Sequence, residues 1–241
     1  MKNPNILISV IVYNEEENIN SVVDDILSFP NLDLIVIDNG SFDNTVNILK
    51  EKKINYITHC VNSGNSAGTL MTYMKYGFLN NYDIICQFDG DGQHIAKELY
   101  KIIDPIKNNE ADYVIGSRFL DKIGFQSSFF RRIAIKIFAN IDSLIIGHKV
   151  TDVTSGFRAY GKKVIELFGN YYKHEIYDTN QLLLLSYFAG ARICEVPVKM
   201  RERVHGKSEF NILNSVTFPF KGLVNILGTL LFNKQIKKFN I

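Results

Sequence analysis

Five short apolar runs recur in the first half of the chain about every 25–30 residues, each followed by a stretch with helical periodicity. They are Ile6 to Val12, Leu34 to Ile37, Ile54 to Cys60, Ile84 to Phe88 and Tyr113 to Ile115. Short runs rich in β-branched residues suit strands buried on both faces. Between them, Ile19, Val22, Val23, Ile26 and Leu27 mark one helical face, and residues 67–79 and Lys97 to Lys107 read as further helices. Strands alternating with helices in this way predict βαβ units and an α/β fold, a mainly parallel sheet flanked by helices. With 241 residues and 46% hydrophobic content, the chain can bury one large core.

In such a sheet, ligands bind outside the carboxyl ends of the strands. Tyr13-Asn14-Glu15, Asp38, Asp89 with Asp91, and Arg118 all follow strand ends, so the pattern gathers them along one edge. Asn14 reads as a helix N-cap, with Glu15, Glu16 and Glu17 in the first turn, where the helix dipole favours them. The stretch Asp89-Gly90-Asp91-Gly92-Gln93-His94 carries the most chemistry. Its glycines allow a tight turn and a close approach to a ligand. Asp89, Asp91 and the amide oxygen of Gln93 are hard oxygen donors suited to Mg2+ or Mn2+. A solvated Asp/Gly turn is the plainer alternative. His94 reads as a loop or supporting residue rather than a ligand, and His59 as packing at a strand end. No G-x-G-x-x-G follows the first strand, which disfavours dinucleotide binding.

The second half changes character. Residues 127–147 read as a helix with an apolar stripe of Phe129, Phe130, Ile133, Ile137, Ile141, Leu144 and Ile145. A polar loop follows, Thr151 to Arg158, then a helix near 178–189, a sixth strand from Arg192 to Val198, and a basic loop from Arg201 to Glu209. Ile212 to Phe232 is long and apolar enough to span a bilayer, but Pro219 interrupts it and Lys221 lies near its middle. Asn214, Thr217, Lys221, Asn225 and Gly228 recur as a polar face, so the segment reads as an amphipathic helix in the membrane interface. Lys234, Lys237 and Lys238 are placed to meet anionic headgroups. An ordinary core helix is the alternative. The division expected is a catalytic domain over 1–210 and an interfacial segment over 211–241.

A net charge of +2 supplies no global field for nucleic acid. The three cysteines, Cys60, Cys86 and Cys194, lie far apart in or beside apolar runs and read as buried free thiols in a reducing compartment. The N-terminus runs straight into a strand rather than reading as a signal peptide.

These residues together resemble the family 2 glycosyltransferases with the GT-A fold. Among them, they look most like the polyprenyl-phosphate sugar transferases, such as dolichyl-phosphate mannose synthase and its bacterial relatives. The carriers are Val12-Tyr13-Asn14-Glu15-Glu16, Ile35-Val36-Ile37-Asp38-Asn39-Gly40-Ser41, Asp89 to His94, Gly116-Ser117-Arg118-Phe119, Asp152 to Arg158 and Glu195-Val196-Pro197-Val198. The resemblance implies that Tyr13, Glu15, Val36 and Asp38 hold the nucleotide of a UDP- or GDP-sugar. Asp89, Gly90 and Asp91 would bind its diphosphate and, with Gln93, the metal. Arg118 and Arg131 or Arg132 would meet phosphate, and Arg203, Lys207 and Ser208 would sit on a loop closing over the donor. Family members often carry a proline where this chain has Ile11 and a lysine where it has Asn65.

The activity implied is inverting transfer of a sugar to a polyprenyl phosphate, by a peripheral enzyme on the cytoplasmic face of the membrane. A lipid phosphate is largely anionic near neutral pH, with a second pKa of about 6, and attacks without a base. A saccharide hydroxyl would need one, and Asp178 and Glu175 are the residues placed for it. For both, a carboxylate at a helix N-terminus is the structural alternative; for Arg158 it is an ion pair. A nucleotide-sugar-binding scaffold without activity is a further reading on the same fold.

Overall fold

The computed structural model describes residues 3–62, 67–121, 129–172, 178–203 and 222–231. Its strands are β1 (Ile6–Val12), β2 (Asp33–Asp38), β3 (Tyr56–Thr58), β4 (Ile84–Asp89), β5 (Tyr113–Ser117), β6 (Arg158–Gly161) and β7 (Ile193–Pro197). Its helices are α1 (Ile19–Leu27), α2 (Thr45–Glu51), α3 (Ala67–Leu79), α4 (Leu99–Lys107), α5 (Phe129–Ile146), α6 (Lys162–Glu166) and α7 (Thr179–Phe188). Residues 222–231 are also helical.

The strands form one seven-stranded sheet in the order β3-β2-β1-β4-β6-β5-β7. All neighbours are parallel except β6, which runs antiparallel to both β4 and β5. Side chains alternate across it. Leu7, Ile35, Ile37, Ile85, Tyr113 and Tyr160 face the core under α3, α5, α6 and α7. Ile8, Val10, Val36, Phe88, Val114 and Ala159 face the core shared with α1, α2 and α4.

Two sequence expectations change here. The end of the polar loop, Arg158, is the first residue of β6, a strand at the middle of the sheet. Four residues beginning with a charge give no readable alternation. Arg158 is fully buried and donates to the carbonyls of Ser155, Val153 and Thr179 and to the Tyr113 hydroxyl. It is a strut fastening the loop and α7 to the sheet, and among the described residues no carboxylate forms the ion pair expected of it. Asn14 does not cap a helix. It takes a left-handed φ of 52°, and α1 begins later, at Ile19, with Asn18 at the cap position. The Glu15 carbonyl accepts from the amides of Asn18 and Ile19, so Glu15 to Glu17 precede the helix instead of filling its first turn.

The apolar stripe expected on α5 is split: Ile141 and Ile145 pack against the core, and the side chains of Phe129 and Phe130 lie outside what the structure describes. Ile133, Ile137 and Leu144 are exposed, whereas Ile135, Phe138, Ala139, Asp142 and Ile146 are buried. The 222–231 helix packs beside it. A Cβ on Gly222 would come within 2.7 Å of the Phe138 ring, so only glycine allows that approach. Asn225 donates to Asp178 at 2.7 Å, and Ile226 and Thr229 are buried, while Leu223, Val224, Leu227 and Leu231 are exposed. Asn225 thus faces inward and the aliphatic residues outward, the reverse of a water-facing helix. The rest of Ile212 to Phe232 lies outside the described residues. Among the described residues, no helix is long and apolar enough to cross a membrane. The cysteines are unpaired; Cys86 is buried and Cys194 partly so, but Cys60 is exposed.

Asp142 is an isolated acid in the α5–α7 core. It is fully buried and neither carboxylate oxygen has a hydrogen-bond partner, although the Asn180 side chain lies beside it. Burial pushes its carboxyl from 3.8 up to about 7, against the pull of Asn180 and the Arg158 charge. The folded chain therefore keeps a proton that the unfolded chain releases, so stability falls as pH rises from 3.8 to about 7. Asp142→Asn should flatten that slope and add about 1–3 kcal/mol at pH 8, read from urea titrations at several pH values. Parallel pH profiles for the two proteins would show that Asp142 is not the group responsible.

Candidate active site

The site is built at the carboxyl ends of β2, β1 and β4, adjacent in the sheet. Asp38 closes β2 and is fully buried. Its Oδ1 accepts from the Ser41 amide at 3.0 Å, while Oδ2 has no partner. A buried carboxylate oxygen without a donor is costly, and a ligand N–H or O–H would satisfy it. Val36, two residues earlier on the same strand face, is sealed in the core. It supports Asp38 from below and offers no surface to a ligand.

The loop after β1 locks onto the loop after β2. The Asn14 amide donates to Ser41 Oγ, the Phe42 amide to Asn14 Oδ1 and the Glu15 amide to Thr45 Oγ1. Tyr13 meets the exposed Phe42 ring edge to face at 6.1 Å. The Glu15 carboxylate is buried and accepts from Asn18 at 2.6 Å; burial raises its pKa against that hydrogen bond and the Arg203 charge.

Asp89 ends β4. Its amide donates to His94 Nδ1 at 2.9 Å, which leaves the ring proton on Nε2, 3.5 Å from Asp89 Oδ2. His94 is stacked on Phe157 at 4.6 Å and edge-on to Phe88 at 5.1 Å. Burial lowers its pKa, so it is neutral with Nδ1 occupied, a support for the loop and not a metal ligand. Burial likewise raises the Asp89 carboxyl. Gly156 is needed beneath it, because a Cβ there would lie 2.5 Å from Asp89 Oδ2.

At Gly90 the chain passes so close to β1 that a Cβ would lie 2.4 Å from Val12 Cγ1. Gly92 then turns with a φ of 77°. Asp91 comes back over the sheet edge with Oδ1 accepting from the Gln93 amide at 3.0 Å. Its Oδ2 accepts from Arg203 Nη2 at 2.7 Å. Arg203 also lies 3.6 Å from Glu15 Oε1. It is delivered there by the pairing of His94 with Met200 and of the Arg201 amide with the Gln93 carbonyl. Among the described residues, no three His, Cys, Asp or Glu side chains converge as a ready metal cluster. Asp89, Asp91 and Gln93 nonetheless offer oxygen donors beside a raised carboxyl, a set that fits a hard divalent ion completed by ligand oxygens.

A family model described as glycosyl transferase family 2 matches residues 7–168. The chain belongs to that family. It is 30% identical over 213 residues to a UDP-N-acetylglucosamine–dolichyl-phosphate N-acetylglucosaminyltransferase of Methanococcus voltae, covering 80% of this chain and 84% of the relative. It is 26% identical to a polyprenol monophosphomannose synthase of Mycolicibacterium smegmatis, over 89% of this chain and 84% of the relative. A solved glucosyl-3-phosphoglycerate synthase from Mycobacterium tuberculosis, in complex with Mn2+ and UDP-glucose, shares the fold with a TM-score of 0.70 at 16% identity. That match covers 94% of this chain and 79% of the neighbour. The GT-A architecture expected from the motifs is therefore present.

Within this family 2 fold, the other expected residues divide. Arg118 does not stand open for a phosphate. It grips Asp152 through Nε at 2.7 Å and Nη2 at 2.8 Å and also reaches Thr154. Asp152 is fully buried, and Glu195 accepts from the backbone amides of Thr151 and Asp152. Glu195 thus holds the loop, and the loop holds the arginine. The pairing of residues 43 apart has no local signature in the chain. Asp178 caps α7: Oδ1 accepts from the Gln181 amide and Oδ2 from Asn225, both at 2.7 Å. Each oxygen already holds one donor, so Asp178 serves the helix end. His59 bonds Thr72 on α3. Arg132 is exposed on α5. The side chain of Arg131, and Lys207, Ser208, Asn65 and Glu175, lie outside what the structure describes.

Removing one member of a buried ion pair strands the other charge. Asp152→Ala should therefore cost about 3–5 kcal/mol in urea unfolding, well above the cost of Arg192→Ala at the exposed pair with Asp112. Equal costs at the two sites would mean the Arg118 clamp contributes no more than a surface contact.

Proposed function

We propose that this enzyme transfers a sugar from a nucleotide sugar to a polyprenyl phosphate, with inversion, at the cytoplasmic face of the membrane. Residues 1–210 form the catalytic domain in this reading and 211–241 the interfacial segment. One observation carries the donor half. The unpartnered buried oxygen of Asp38 and the carboxylates of Asp89 and Asp91 lie at the ends of β2 and β4, with β1 between them. A nucleoside has a donor for the first, and a metal-bound diphosphate suits the second. The Methanococcus voltae relative takes a UDP-sugar and acts on dolichyl phosphate, and the Mycolicibacterium smegmatis relative is named for making a polyprenol monophosphomannose, which supports a lipid-phosphate acceptor here.

Asp38 accepts from the base or ribose, and Tyr13 and Glu15 line the approach. Asp89, Asp91 and Gln93 would hold Mg2+ or Mn2+, which when bound offsets negative charge on the departing diphosphate. Arg203 sits at the diphosphate position, ready to pair with phosphate oxygens through its planar fork. The acceptor phosphate is already anionic, so the chain need only orient it, a task for Arg131 or Arg132, Lys207 and Ser208. The engagement of both Asp178 oxygens supports a reaction that needs no protein base there. The exposed Ile133, Ile137 and Leu144 on α5, beside Leu223, Val224, Leu227 and Leu231, form an apolar face suited to the acyl boundary.

Incubation with UDP- and GDP-sugars, polyprenyl phosphate and Mg2+ or Mn2+ should yield a sugar-phosphate lipid. Asp91→Ala should lower turnover at least about a hundredfold, since charge on the leaving group goes uncompensated. Asp178→Asn keeps the helix cap and should change turnover by about threefold or less. Loss of transfer in Asp178→Asn, with a glycosylated hydroxyl as product, would replace the lipid-phosphate reading by a saccharide acceptor. Absence of transfer or donor hydrolysis with every donor would leave a binding scaffold.

A further inference from the structure

Both oxygens of Asp91 are occupied. Oδ1 receives the Gln93 amide at 3.0 Å. Oδ2 receives Arg203 through Nη2 at 2.7 Å and Nε at 3.3 Å, and Glu15 Oε1 is 3.6 Å from the same Nη2. The Asp91 side chain is 10% exposed and that of Arg203 26%, so the contact is shielded from water and worth more than a surface pair. A divalent ion on Asp91 Oδ2 would lie beside the guanidinium, and the two cations would repel each other across one shared oxygen. Displacing Arg203 without a substitute would leave its charge next to the ion that replaced it. A diphosphate removes that penalty, because it brings negative oxygens for both the ion and the guanidinium fork.

We propose that Arg203 is a displaceable internal cation, which keeps the carboxylates of the free enzyme from taking up a divalent ion alone and couples metal entry to arrival of the donor diphosphate. The inference rests on Asp89 and Asp91 being the metal ligands. It makes Arg203 a residue with two partners in turn, Asp91 in the empty site and phosphate oxygens in the filled one. Because the Arg201 amide is bonded to the Gln93 carbonyl, the segment that carries Arg203 is tied to the same loop that carries Asp91. The exchange then needs only side-chain motion, with the backbone register intact. By linkage, the factor by which the diphosphate tightens metal binding equals the factor by which metal tightens the diphosphate. The position also explains a half-buried basic residue set against the acids proposed to bind a cation.

The test measures Mn2+ binding to the full chain by the paramagnetic resonance of free Mn2+, without nucleotide and then with UDP or GDP. Wild type should bind Mn2+ alone weakly and bind it about a hundredfold tighter with the nucleoside diphosphate it recognises. Arg203→Gln removes the competing charge. It should bind Mn2+ alone about tenfold or more tighter than wild type, with the nucleotide-induced tightening reduced by at least the same factor. Arg203→Lys keeps a charge and should stay within about threefold of wild type for Mn2+ alone. Asp91→Asn should abolish binding in both conditions. Unchanged Mn2+ affinity in Arg203→Gln, with Asp91→Asn still defective, overturns the exchange and leaves the metal site standing. Mn2+ binding unaltered by Asp91→Asn, or absent from wild type even with both nucleotides, overturns the metal assignment and the exchange with it.

Discussion

The amide of Gly90 donates to the carbonyl of Ile11 at 2.9 Å, and at that point β4 passes β1 with no room for a side chain. The rest of the site depends on this contact. It brings the carboxylates of Asp89 and Asp91 against the loop that carries Tyr13 and Glu15. It lets Asp91 return over the sheet edge toward Arg203 while Asp89 stays down against Gly156 and His94. A glycine at 90 is the condition for nucleotide-side and metal-side groups to share one small volume.

Around that volume the protein has buried several charges and given most of them fixed partners. Arg118 has Asp152, Glu195 has the backbone amides of Thr151 and Asp152, and Arg158 has carbonyls and a phenol. Desolvating a charge costs several kcal/mol, and such costs are offset only by near-complete hydrogen bonding. These residues are accordingly rigid scaffolding. The groups left without a partner, or held by one that can leave, are the ones the proposed function uses: Asp38 Oδ2 at the end of β2, and Asp91 with Arg203 beyond the end of β4. Asp142 is the exception, an unpartnered acid in the α5–α7 core that burial keeps protonated below about 7.

The outer surface of the α5 and 222–231 pair obeys the opposite rule. Its buried faces carry Asp142, Asn225 and Thr229 among apolar residues, while Ile133, Ile137, Leu144, Val224 and Leu227 point outward. Exposed apolar residues scattered singly are ordinary, but a run of them along two adjoining helices is a surface with something to cover it. In the proposed reading, the hydrocarbon tail of a polyprenyl phosphate acceptor is what such a face would meet.

The parallel strands and the edge that gathers Tyr13, Asp38 and Asp89 could be read from the chain, because side-chain periodicity and strand-end residues are local. The Asp89 to His94 turn was legible for the same reason: two carboxylates and two glycines within six residues limit what the backbone can do. What the chain alone could not reveal lies in pairings between distant segments. That Arg118 belongs to Asp152, 34 residues away, that Asp178 is held by Asn225, 47 residues away, and that Arg158 opens a central strand by pairing with Gln87 and Ile115 are all set by contacts between distant segments. Sequence pattern likewise marked the apolar side of α5 but not which side faces in, since hydrophobicity reports affinity for a nonpolar surrounding and not its source. Tertiary packing made that choice: Phe138, Ile141, Ile145 and Ile146 pack into the core, while Ile133, Ile137 and Leu144 are left outside.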